Sequence, residues 1–224
     1  MSLLHNGQAF PRPETPTVGG GTISLPGDLA GSFGVVLIYR GAWCPYDNAQ
    51  LASFSRAAVA FAELGIKVVA LSVDDEASGS ALVEKHHLHF PVGHSADPDK
   101  VAAATGAFTN DRPRHLQSTE FVLAPDGSVL TAVYSSGAIG RLVAEDVAGL
   151  VGYVKLQTGP EARGGLNLTA SASRTAAEPC PARHRSRRNA HVLIADLGQG
   201  DPELISLGAA PLLTLCVPAV AAVG

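Results

Sequence analysis

Val35-Val36-Leu37-Ile38-Tyr39-Arg40-Gly41-Ala42-Trp43-Cys44-Pro45-Tyr46-Asp47 joins an apolar run to a cysteine followed by proline. The run from Gly34 to Tyr39 is almost unbroken in its apolar character, the pattern of a strand buried on both faces. Pro45 suits the first position of a helix, where its missing N–H would have no helical partner anyway. Cys44 therefore falls at a strand-to-helix turn. The helix dipole is positive there, and the first backbone N–H groups lack internal partners. Both effects favour the thiolate, which is the nucleophilic form. Many free cysteines are simply small core residues. A strand-to-helix turn in an α/β sheet is instead a functional location.

The pattern extends outward on both sides. The helix that opens at Pro45 is expected to run to residue 64, with Leu51, Phe54, Ala58 and Phe61 on one face and Gly65 as its stop. Ile66 to Val73 makes a second central strand. Asp74-Asp75-Glu76 then opens a helix toward His87, with its acids at the positive end. Phe90-Pro91-Val92 is a short strand, and Asp97-Pro98 caps a helix that Gly106 ends. Thr119–Leu123 and Ser128–Tyr134 form a hairpin around Ala124-Pro125-Asp126-Gly127. Ile139 to Leu156 is the final helix, with Leu142, Val143, Val147, Leu150, Val151 and Val154 on one face. Ahead of all this, Thr22–Leu25 makes a short strand after a Pro- and Gly-rich surface lead-in, residues 1–20. Alternation followed by a hairpin predicts an α/β domain with a mixed central sheet flanked by helices.

Composition bounds the rest. A chain of 224 residues with 46% apolar residues can bury an ample core. The net charge of −4 gives no global attraction to nucleic acid. Three cysteines, an odd number, argue against a disulfide framework. The start, Met1 to Gln8, has neither a basic flank nor a long apolar stretch, so no signal peptide is expected and the setting is cytoplasmic. The chain divides near residue 158: every Phe, Tyr and Trp lies at or before Tyr153, and every Lys at or before Lys155. Residues 21–157 are the expected domain, and 158–224 a poorly structured tail rich in Ala, Gly, Pro and Arg. Within it, Leu204 to Gly224 is uncharged and about membrane-spanning in length, but Pro211 and Pro218 count against a span.

Tyr39-Arg40-Gly41-Ala42-Trp43-Cys44-Pro45-Tyr46 resembles the active-site segment of the peroxiredoxin-like (AhpC/TSA, redoxin) branch of the thioredoxin-fold superfamily. Val133 to Leu142, followed by Glu145-Asp146, resembles the same branch's closing strand and final helix. The resemblance implies a thioredoxin-like fold and an antioxidant thiol oxidoreductase acting through Cys44 on a peroxide or a disulfide. It implies no cofactor and no metal, and it leaves room for a homodimer. The chain also departs from the family pattern. Many members carry a second cysteine three residues after the first, where this chain has Asp47. Standard members place Thr or Ser three residues before the cysteine, where Gly41 stands, and an arginine near the start of a later strand, where this chain has Leu116-Gln117-Ser118-Thr119.

Those departures decide which other residues matter. A peroxidase must stabilise the thiolate and the departing oxygen anion, and guanidinium does so without losing its charge. Arg40, at the strand end, and Arg141, in the second family-like segment, join Cys44 as the expected catalytic residues. Arg112 and Arg114 belong to a loop before the hairpin. Asp47, one turn from Cys44, would disfavour the thiolate by like-charge repulsion. It is a plain helix-terminus acid or, more sharply, a proton acceptor. Trp43 either shields the site or packs as core. His86, His87, His89 and His94 lack a zinc spacing and straddle a helix end. With no local partner cysteine, regeneration falls to glutathione, a low-molecular-weight thiol or a thioredoxin-like protein. Cys180 and Cys216 are remote alternatives in the tail. The rival expectation is a degenerate thioredoxin-fold module that binds a partner without turnover.

Overall fold

The computed structural model describes residues 2–158. The tail, with Cys180, Cys216 and the apolar run from Leu204, lies outside the described residues. The central sheet has five strands: β3 (Phe33–Ile38), β4 (Ile66–Leu71), β5 (Val92–Gly93), β8 (Thr119–Leu123) and β9 (Val129–Tyr134). Their order is β5-β4-β3-β8-β9. β3 pairs parallel with β4, and β4 with β5, while β8 and β9 run antiparallel. The sheet is mixed, as the alternation and the hairpin predict. β3 is central and buried at all six positions, which is why its sequence is apolar on both faces.

Alternate β3 residues feed two cores. Val35 and Leu37, with Tyr39 just past the strand end, face one layer, with Leu51 and Phe54 of α1 (Pro45–Arg56), Phe61 of α2 (Ala58–Leu64), Leu82 of α3 (Glu76–His86), and Val147 and Val151 of α5 (Ala144–Thr158). Val36 and Ile38 face the other, with Val101 and Ala102 of α4 (Pro98–Thr105) and Phe121. Among the described residues no helix is long and apolar enough to cross a membrane.

Several boundaries differ from the sequence reading, each for a tertiary reason. The helix expected over 45–64 is two helices that share Ala57 as a cap. The buried Ser55 hydroxyl donates to His87 C=O at 2.7 Å and accepts from His89 N–H at 3.1 Å, tying that turn to the loop after α3. The final helix starts at Ala144 rather than Ile139. Residues 139–143 are withheld because Arg141 and Leu142 bond to other elements. The lead-in is not a plain surface segment. β1 (Glu14–Pro16) pairs antiparallel with β2 (Thr22–Ser24), and Phe10 is buried with its ring edge-on to Phe121 at 5.1 Å. The loop before the main hairpin is itself a hairpin, β6 (Thr109–Asp111) and β7 (Arg114–Leu116).

Phe10 therefore carries core packing on behalf of a segment with little structure of its own. Phe10→Ala is expected to lower stability by about 3–5 kcal/mol, read by urea unfolding at fixed pH. An unchanged midpoint would show that the lead-in is not part of the folded unit.

Candidate functional site

β3 ends at Ile38, and the chain turns through Tyr39 to Trp43 into α1. Cys44 is the N-cap residue, in extended conformation, with Pro45 at the first helical position. The turn is held from three sides. Cys44 N–H donates to Gly41 C=O at 3.0 Å. Ala42 N–H donates to the Asp74 carboxylate at 2.7 Å, and Asn48 Nδ2 donates to Ala42 C=O at 3.1 Å. Gly41 has no room for a side chain. A Cβ there would approach Trp43 Nε1 to 2.4 Å and Asp74 Oδ1 to 3.0 Å, and its φ of +154° suits glycine. The indole thus excludes the Thr or Ser that the family pattern places at this position.

Cys44 is fully buried and is the free cysteine among the described residues. No helix N–H donates to its sulfur, so the cap geometry does not supply the direct contact that the sequence suggests. Two guanidinium groups do. Arg40 Nη1 lies 3.7 Å from Sγ, and Arg141 Nη2 lies 3.8 Å from it. The two arginines expected from the sequence therefore meet at one sulfur, although 101 positions of chain separate them. Two cations beside one sulfur set Cys44 apart from a cysteine packed in an apolar core.

Asp47 lies in the first turn of α1, as a helix-terminus acid does, but both of its oxygens are bonded to arginines. It is fully buried. Its Oδ1 accepts from Arg141 Nε at 2.9 Å and Nη2 at 2.5 Å, and its Oδ2 accepts from Arg40 N–H at 3.0 Å. Arg141 Nη1 also donates to Ala138 C=O at 2.7 Å. The acid expected to stand beside Cys44 thus also holds a cation against the sulfur. Aromatic rings flank the pair. Trp43 lies 4.8 Å from the Arg40 guanidinium carbon and edge-on to His115 at 5.3 Å, and Tyr46 lies 5.9 Å from that of Arg141. Trp43 and Tyr46 are both about half exposed, so they form the outer side of the site rather than its core.

Other residues singled out in the sequence lie apart from this cluster. Arg114 pairs with Asp111 and Asp99 on the surface, and Arg112 sits in the β6–β7 turn. His87 is the left-handed C-cap of α3, and the His94 ring contacts the Ser95 hydroxyl. The residue the sequence reading missed is Glu120. It points from β8 into the layer that also holds Leu37, and it is buried. A single charged residue inside the otherwise uncharged strand Thr119–Leu123 was the available signal. Ser118 O–H donates to it at 2.8 Å, and Leu142 N–H donates to its other oxygen.

A thioredoxin-like sheet with a buried thiol between two arginines at the start of a helix defines a thiol-dependent oxidoreductase. Comparison with known proteins gives the family. The AhpC/TSA family model matches residues 6–132, and the chain belongs to that family. A peroxiredoxin of Chlorobaculum tepidum is 30% identical over 147 residues, 63% of this chain and 67% of its own. One of Treponema denticola is 29% identical over 153 residues, 66% and 71% of the two chains. Among solved structures, peroxiredoxin 6 of Arenicola marina superposes with a TM-score of 0.62 at 18% identity, over 70% of this chain and 76% of that one. Mycobacterium tuberculosis AhpC does so with a TM-score of 0.60 at 16% identity, over 72% and 99%. These structures share the fold. The binding module without turnover is not favoured by this membership.

Glu120 gives the site a pH signature. Burial holds its carboxyl above the ordinary carboxylate range, against the opposing pull of Leu142 N–H, Ser118, Gln50 and Arg141. An acid whose proton is held more tightly in the folded chain stabilises the fold at acid pH. That contribution fades as pH rises through its folded titration. Glu120→Gln imitates the protonated form. It is expected to melt above the parent protein at neutral pH, with the gap closing below the ordinary glutamate value of 4.5. Thermal melts across that range would show it; a gap that stays constant with pH would contradict the assignment.

Proposed function

We propose that Cys44 is the peroxide-reducing thiol of this protein and that Arg40 and Arg141 are its catalytic partners. The observation that carries the reading is the approach of both guanidinium groups to within 3.8 Å of Sγ. The thiolate attacks one oxygen of the peroxide, an S–O bond forms and the O–O bond breaks. The departing oxygen leaves as hydroxide or alkoxide and takes a proton to become water or alcohol. Charge moves from sulfur to the leaving oxygen during this step, and cations fixed beside both stabilise it throughout. The product is a sulfenic acid on Cys44.

Sγ is fully covered in this conformation. Its neighbours Trp43 and Tyr46 are each about half exposed, so substrate approaches the sulfur from their side. Gly41 offers no hydroxyl, so the peroxide is oriented by the guanidinium N–H groups instead. This supports slower turnover than a site that adds a hydroxyl donor.

Regeneration uses an external thiol. Position 47, one turn from Cys44, is a carboxylate committed to Arg141 and forms no disulfide. A first thiol condenses with the sulfenic acid, releasing water and leaving a mixed disulfide; a second thiol attacks that disulfide and frees Cys44. Glutathione, another low-molecular-weight thiol or a thioredoxin-like protein meets this chemistry. A disulfide substrate would enter the same cycle at the mixed-disulfide stage. A reducing, cytoplasmic setting suits it.

Reduced protein given near-stoichiometric peroxide and a sulfenic-acid trap is expected to show one adduct on Cys44 by intact-mass spectrometry. Cys44→Ser should show none at that site. An unmodified Cys44 after minutes would remove peroxide reduction from consideration. Asp47→Ala leaves Arg141 without its anchor and is expected to slow sulfenic-acid formation about ten- to hundredfold, the scale of a misplaced reacting group. Stopped-flow competition with a reference peroxidase would read that loss.

A further inference from the structure

Asp47 fixes the head of Arg141, but it does not fix the backbone from which that side chain projects. Arg141 lies between β9 and α5, in a stretch without regular structure. A long arginine side chain reaches the same sulfur at a constant distance only if its own peptide is anchored. Two contacts supply that anchor. Leu142 N–H, in the peptide bond that Arg141 shares with Leu142, donates to Glu120. Leu142 C=O accepts from Gln50 Nε2 of α1 at 3.0 Å.

Glu120 is an unusual group to find there. Its strand is buried at every one of its five positions, and Glu120 itself is 1% exposed. A carboxylate in such a layer is costly unless its oxygens are bonded. Both are bonded, one by Ser118 O–H and the other by Leu142 N–H. An apolar residue, such as its strand neighbours Phe121 and Val122, would fill the volume but leave both donors without an acceptor. The carboxylate therefore serves a geometric purpose that an apolar side chain does not meet.

We propose that Glu120 is a positioning residue for Arg141: by holding the Arg141–Leu142 peptide against the sheet, it sets the distance between the Arg141 guanidinium and Cys44. The inference rests on the reading of Arg141 as a partner of the Cys44 thiolate. Glu120 touches neither the sulfur nor the substrate. Its positioning influence passes through the anchored peptide and along one side chain, and Glu120→Gln separates this from the charge attraction between Glu120 and Arg141. Asp47 and Glu120 then divide the work, one holding the guanidinium and the other the backbone behind it.

The test compares Glu120→Leu with Glu120→Gln in the full chain, in both the native and the Arg141→Gln background. The readout is the second-order rate of Cys44 alkylation by iodoacetamide at neutral pH, which needs no peroxidase turnover. Thermal melts provide the folding control. Glu120→Leu fills the volume but accepts no hydrogen bond. It strands the Ser118 and Leu142 donors, so it is expected to melt below the parent, and to slow alkylation about tenfold or more. Glu120→Gln keeps an acceptor for Leu142 N–H, while its amide NH2 can donate to the Ser118 hydroxyl. It is expected to stay within about threefold of the parent. In the Arg141→Gln background, Glu120→Leu should add little, because the residue it positions is gone.

Glu120→Leu at the parental rate, or a loss of equal size in both backgrounds, overturns the inference. So does a Glu120→Leu protein that fails to fold together with a Glu120→Gln protein that folds but reacts as slowly as Arg141→Gln. If Arg141→Gln alone leaves the rate unchanged, Arg141 is no partner of the thiolate and the underlying reading fails with the inference. If Arg141→Gln is slow and Glu120→Leu is not, only the inference falls.

Discussion

Two cations and a sulfur atom share one buried corner of this protein, and the arrangement depends on the buried carboxylate of Asp47. Arg141 is almost fully enclosed, with only a tenth of its side chain reaching solvent. A guanidinium so placed needs a fixed anion, since water can no longer offset its charge. Asp47 provides it with two hydrogen bonds to one oxygen, and its other oxygen holds the backbone of Arg40. One side chain thus ties together the end of β3, the start of α1 and the segment before α5. Removing it would leave a buried cation unpaired and would free both elements that approach Cys44.

The fold supplies what that carboxylate needs. β3 is central and buried on both faces, so its C-terminal end is a rigid point from which the turn at Gly41 departs. β8 lies antiparallel beside it, with Glu120 opposite Leu37. The segment after β9 returns over the same end of the sheet, where Leu142 is bonded from below by Glu120 and from the side by Gln50. The site is assembled where these strands and the following helix converge. It is the kind of place where an α/β sheet leaves backbone and side chains unconsumed by its own pairing.

The departures from the usual family pattern become coherent in this setting. Gly41 is not a lost hydroxyl waiting for replacement, because the Trp43 indole fills the space a side chain would take. Arg40 and Arg141 reach the Cys44 sulfur, while the later strand, where the family pattern places an arginine, has Gln117, Ser118 and Thr119. Asp47 in place of a second cysteine exchanges a local disulfide partner for an anchor of one of those arginines. In the proposed cycle the exchange turns the chemistry outward, toward a thiol from another molecule.

Much of this was legible in the chain itself. Apolar runs fix β3 and β4, because only central strands need both faces apolar. Asp97-Pro98 and Gly106 mark the ends of α4 by capping chemistry alone, and Cys44-Pro45 marks the start of α1. These signals are local, and local sequence carries them whatever the rest of the chain does. Residue chemistry and a resemblance in two short segments also singled out Cys44, Arg40 and Arg141, which the structure brings together. The sequence did not determine where the 45–64 helix breaks, why the last helix starts late, that Phe10 is core, or what Asp47 and Glu120 hold. Each of those depends on a partner far along the chain: His87 for Ser55, Phe121 for Phe10, Arg141 for Asp47, Leu142 for Glu120. A buried polar group is tolerated only when a partner meets it, and the tertiary structure alone decides which partner arrives.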